Sequence, residues 1–161
     1  MRLPGRQRGL YTVEFAIVAG VFFLLLFGAF EIARFFWVFE TLTEVTRRGA
    51  RVAAVCPVNH ADIARVAMLS SPGGADTSPV LNNLSAANIS IAYMDNSGAA
   101  TASYPDIELV RVSVENYSHT LLIPFIPADV ATIRMPPVAT TLPTESLGFI
   151  PDLNVRQCYG V

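Results

Sequence analysis

From Phe15 to Phe30 (FAIVAGVFFLLLFGAF) the chain has no charged or strongly polar side chain, and no other stretch restricts its fold as much. With Leu10–Val13 in front, the run is long enough to cross a hydrocarbon layer of about 30 Å as a helix. Arg2, Arg6 and Arg8 precede it, and no basic cluster follows directly. That asymmetry predicts a single pass with the N-terminus in the cytoplasm and the remainder exported. One carboxylate, Glu14, interrupts the apolar character just inside the start.

The helical pattern does not stop with the apolar run. Glu31 and Arg34 stand a turn apart and can pair. Phe35, Phe36, Trp37 and Phe39 form an aromatic band suited to a membrane interface. Beyond them come Glu40, Glu44, Arg47, Arg48 and Arg51, with Glu44 in reach of Arg47 and Arg48, and apolar positions at Val45, Val52 and Ala53. No proline lies between Gly9 and Pro57, so one helix of about 70 Å is expected from about Leu10 to Val55. Gly49 reads as a mild weakness in it.

Three readings of the run compete. A cleaved secretory signal needs a small-residue site after the apolar region, and Gly28-Ala29-Phe30 is a poor match. A plain signal anchor has no use for Glu14, because an ionised carboxylate in lipid costs about 3 kcal/mol or more. A cut on the cytoplasmic side, after Gly9, would free the α-amino group of Leu10 four residues before Glu14, on the same helical face. The carboxylate could then neutralise that ammonium, in its own chain or a packed neighbour. Ala16, Gly20 and Gly28 fall on a four-residue spacing, which suits close helix packing and equally the ordinary composition of membrane helices.

The net charge is −2 and all eleven basic residues are Arg, so there is no polycation for nucleic acid. An even cysteine count in an exported chain suggests a disulfide between Cys56 and Cys158, tying the tail to the end of the first helix; two unrelated buried thiols is the alternative. Neither His60 nor His119 has ligand spacing to a second candidate, so neither a metal nor another cofactor is expected.

Past Cys56-Pro57 the chain reads as a smaller α+β domain, about 57–161. Asn59 is placed to cap a short helix at about His60–Leu69, with Ile63, Val66 and Ala67 on one face. Ser70–Gly74 is a loop, and Ile89–Tyr93 a strand. A turn at Asp95–Gly98 follows, with a return strand toward Tyr104. Ile107–Tyr117 is the strongest strand, with Val110, Val112 and Val114 alternating with Arg111, Ser113 and Glu115. Leu121–Ile126 is apolar, and Ile133–Leu142 is a strand broken or put at an edge by Pro136-Pro137. The tail from Phe149 reads as irregular.

Catalytic signatures are missing: no nucleophile elbow, no phosphate-binding glycine loop, no His pair at helical spacing and no Lys for a Ser–Lys dyad. Asp106 and Glu108 share a strand face but read as solvated, and His60 and His119 read as surface or loop residues. The Asn83, Asn88 and Asn116 sequons are chance matches if the protein is bacterial. No enzymatic activity is expected.

A basic leader, Gly9, four residues, then Glu14 and Phe15 heading an apolar helix resembles the processing site of type IV pilin-like proteins, closest to the tight-adherence (Flp/Tad) system. Arg47–Cys56, Val110–Tyr117 with Leu121–Pro124, and Ala139–Glu145 are similar to its TadE-like pseudopilins. The resemblance implies a pilin-like α+β protein: a leader 1–9 removed by a prepilin peptidase, a transmembrane part 10–31, an amphipathic continuation 32–56 and an exported domain. It makes Gly9 the residue before the cut, Leu10 the new N-terminus and Glu14 the assembly carboxylate, with Phe15 where major pilins have Tyr. Implied partners are the other Tad pseudopilins, the major pilin and the inner-membrane assembly platform. The implied location is the bacterial inner membrane, with entry into the pilus. About a hundred residues beyond the helix separate this chain from major Flp pilins and favour a minor component that initiates or caps a filament. The alternative is an uncleaved single-pass inner-membrane protein whose exported domain binds a ligand or partner.

Overall fold

The computed structural model describes residues 8–122, 127 and 130–158. The leader up to residue 7 with Arg2 and Arg6, the 123–126 part of the apolar stretch and the tail past 158 lie outside them. Helix α1 spans Arg8–Val55 without a break, as the absence of proline permits. Its N-terminal half is exposed, and an 18-residue window within it is apolar enough to cross a membrane. Its C-terminal half buries a stripe: Val38, Leu42, Val45, Ala50, Ala53 and Ala54 are buried at helical spacing.

Helix α2, Ala61–Ala67, buries Ile63, Val66 and Ala67. Its N-cap is His60, whose Nδ1 accepts from the Asp62 N–H at 3.3 Å. Asn59, expected there, instead takes a left-handed conformation at φ 60° and donates its N–H to the Tyr93 hydroxyl. The cap thus falls one residue later than the sequence suggests, because the left-handed Asn59 turns the chain first.

Three strands form the main sheet: β1 (Ile89–Met94), β2 (Leu109–Val114) and, after two short strands, β5 (Val138–Pro143), all antiparallel in the order β1-β2-β5. Val110, Val112 and Val114 face α1 and α2, as their alternation predicts. Val112 stands between Ile91 and Thr140 in the register, and the Thr140 hydroxyl is 2.8 Å from that of the fully buried Thr46 on α1. The expected return strand toward Tyr104 does not form. After the Asp95–Gly98 turn there is one bridge, Met94 to Ala100, and then a 3₁₀ turn at Tyr104–Asp106. Pro105 offers no N–H to a ladder, and β1 takes its partner from β2 instead. Asp106 consequently sits in the 3₁₀ turn and Glu108 ahead of β2, not together on a strand face.

Pro136-Pro137 split the predicted 133–142 strand in two. Thr132–Arg134 (β4) pairs with Ser118–Thr120 (β3), while β5 joins the main sheet at its edge. The tail is more regular than expected: β6 (Phe149–Ile150) and β7 (Val155–Arg156) make a small hairpin. It is fastened by the Cys56–Cys158 disulfide. It is also held by the Arg156 guanidinium, 3.7 Å from the Tyr104 ring centroid. Gly148, at φ 75°, lets the chain pass Pro57, where a Cβ would come within 2.6 Å of the Pro57 Cδ.

Candidate functional site

Gly9 and Leu10 lie in the first turns of α1. Glu14 is exposed on the helix, with no ion-pair partner among the described residues, and Phe15 is exposed beside it. If that part of the helix crosses a membrane, as an 18-residue window of mean hydropathy 2.4 allows, the carboxylate there needs a cation from outside the described chain or a place at headgroup level. Ala16, Gly20 and Gly28 are exposed too, and a Cβ added at Gly20 or Gly28 would meet nothing within 4 Å. This exposed stripe has room for another helix.

At the other end of the apolar run a polar cluster forms. Nη1 of Arg34 donates to both carboxylate oxygens of Glu31 at 2.8 and 2.9 Å, the pairing that their spacing predicts. Nη2 of Arg34 reaches the Thr120 carbonyl at 3.4 Å, and the Leu122 N–H donates to Glu31 at 3.3 Å. His119 joins them, contrary to its reading as a surface or loop residue. It is 2% exposed, with Nε2 3.4 Å from Glu31 Oε1 but not directed into a hydrogen bond. Its ring lies edge-on to Phe35. The reason is register: β3 pairs His119 with Ile133, and this turns the imidazole toward α1. A lone His outside any helical or strand pattern carries no sequence signal for that placement. Beside the cluster a cleft of about 1020 Å³ opens between α1 and the 77–85 segment, with Arg34, Trp37, Leu81, Tyr117 and Leu122 in its walls.

Elsewhere the polar groups serve structure. Asp62 accepts from the Gly73 N–H and from Arg65, and these two bonds hold its carboxyl below the usual range. Asp95 is held down likewise, first by the Ser97 hydroxyl and then by the Ala99 N–H, which marks it as the organiser of a turn. Burial pushes the Tyr93 and Tyr117 phenols up, while Arg34 opposes the shift at Tyr117. Glu44, Arg47 and Arg48 are all exposed, and no ion pair joins them among the described residues, since solvated helix pairs gain only about 0.5 kcal/mol. No group of three or more His, Cys, Asp or Glu is placed to hold a metal among the described residues.

Comparison with curated proteins and with solved structures returns no match. Residues 9–51, from the glycine ahead of the apolar run to the last exposed Arg of α1, match the family model of TadE-like proteins.

Proposed function

We propose that this chain is a pseudopilin, or minor pilin, that takes part in initiating or capping a Tad-type adhesion pilus. The observation that carries the reading is the match over residues 9–51, which contains both Gly9 and Glu14 and lies wholly on one unbroken helix. A prepilin peptidase would cut after Gly9 and leave Leu10 as the N-terminus. The released ammonium and the Glu14 carboxylate would then neutralise each other within lipid, in one chain or between neighbours, at the exposed start of α1. The helix would hold the protein in the inner membrane, and the exported domain would meet the other Tad pseudopilins, the major pilin and the assembly platform. The work is assembly, with no catalysis of its own.

N-terminal sequencing of protein extracted from membranes should begin at Leu10, and Gly9→Val should leave a full-length band on an immunoblot. Glu14→Ala should be processed normally and fail in piliation. A mature chain that starts at Met1 in a host with the peptidase would instead support an uncleaved, anchored binding protein, and normal piliation by Glu14→Ala would remove the role given to the carboxylate.

A further inference from the structure

Beyond its aromatic band α1 carries five charged side chains, Glu40 and Glu44 followed by Arg47, Arg48 and Arg51. All five are exposed, and none makes a hydrogen bond or an ion pair among the described residues. At about 100° per residue they fall within an arc of about 100°. That arc lies on the side of the helix away from Leu42, Val45 and Gly49, which pack into the domain. The stripe is divided along its length: its acidic half is nearer the apolar run and its basic half farther away.

Glu40 and Glu44 are four residues apart, as are Arg47 and Arg51, and the second pair repeats the first seven residues on. Seven residues make close to two turns and a rise of about 10 Å, so both pairs stand on the same side of the helix. The face is therefore complementary to itself. Slid by two turns along a parallel copy, it sets Glu40 level with Arg47 of that copy and Glu44 level with its Arg51. Without an offset Glu would meet Glu and Arg would meet Arg, a repulsive arrangement. A reversed copy also matches the charges, but it sends the two apolar halves in opposite directions, which a shared bilayer forbids.

We infer that this face of α1 docks a second copy of the chain, parallel and displaced by seven residues, and that the division of charge fixes the displacement. Exposed ion pairs add little affinity, so charge selects the register while confinement of both chains to one membrane supplies the encounter. The apolar surface has length to spare for the offset. Its exposed side chains extend from Tyr11 to Trp37, about 40 Å of helix against about 30 Å of hydrocarbon. The contact is heterologous, so each of the two copies keeps one half of its stripe free. The inference rests on the apolar half of α1 lying in a bilayer and needs neither cleavage after Gly9 nor a pilus.

The test uses the full chain with its disulfide intact, in phosphatidylcholine vesicles. One set of chains carries Phe36→Cys and another, distinguished by a size tag, carries Thr43→Cys; these uncharged positions are seven residues apart beside the stripe. With a short bismaleimide, mixed vesicles should join position 36 of one chain to position 43 of another in higher yield than either like-with-like product, and added salt should reduce that yield. Glu40→Arg with Glu44→Arg should abolish the mixed product. Adding Arg47→Glu and Arg51→Glu to those chains should restore it, because the reversed stripe is complementary to itself at the same offset. Like-with-like products at both positions would overturn the inference by showing copies in register, and one at position 43 alone by showing a reversed copy. A mixed product that survives the double replacement, or does not return with the reversed stripe, would remove charge as the determinant. No product from chains that resist alkaline extraction leaves the membrane helix standing and removes the docking. Chains that an alkaline wash strips from the vesicles remove the premise as well.

Discussion

Gly49 illustrates how a residue changes meaning once its neighbours are known. On α1 it faces both α2 and the sheet at close range: a Cβ there would lie 2.9 Å from Val112 Cγ1 and 3.0 Å from the Ala67 Cβ. The glycine costs about 1 kcal/mol in helix propensity and in return admits the sheet. Gly49→Val should lower the stability of the solubilised chain by about 1–3 kcal/mol or more, read from chemical denaturation followed by Trp37 fluorescence. Gly20→Ala, with nothing within 4 Å, should not lower the midpoint and can raise it slightly through helix propensity. A Gly49→Val midpoint equal to that of the parent would mean that the three elements have room to spare. His119 makes the same point from the polar side, since only its strand register places it against Glu31.

Among the elements, β3 meets α1 through charged side chains as well as an aromatic one. It has three residues, and its hold on α1 runs through Phe35 and the cluster of Glu31, Arg34 and His119. Glu31→Ala removes acceptors from Arg34 and from the Leu122 N–H, and leaves His119 buried without a polar neighbour on that side. Bonds to a partly buried charge contribute about 2 kcal/mol, so hydrogen exchange at the Ser118–Thr120 amides should accelerate by about thirtyfold while the β1–β2 amides keep their protection. Equal acceleration in both sheets would show a global loss of stability, and no change would show that Phe35 holds the strand alone. The alternation of Val110, Val112 and Val114 announces β2 well, because a period of two is a property of consecutive residues. The partner that β1 takes is not announced. The nearest segment in sequence, toward Tyr104, loses to a strand that brings a whole apolar face to the helix.

At the scale of the molecule, one helix carries both a stretch apolar enough to cross a membrane and the packing face of a folded domain, and the tail closes back on it through Cys56–Cys158. The bond spans 102 residues. Loop-closure entropy of that size amounts to about 4–5 kcal/mol in the chain-entropy model. Cys158→Ser, or reduction under native conditions, should therefore lower the denaturation midpoint substantially and release the β6–β7 hairpin first. Retention of the full midpoint would mean that Arg156 stacked on Tyr104 and the Gln157–Gly148 bond already fasten the tail. Hydropathy, proline position and the Gly9–Glu14 spacing act within a turn or two of the residues that carry them. By itself, then, the sequence determined the long helix, its division into apolar and amphipathic halves, the edge created by Pro136-Pro137 and the match of residues 9–51 to the TadE-like family model. Which strand pairs with β1, why Gly49 must lack a side chain, and how His119 comes to lie beside Glu31 were decided only by the tertiary structure. Those outcomes depend on surfaces that segments distant in the chain present to each other once they are packed.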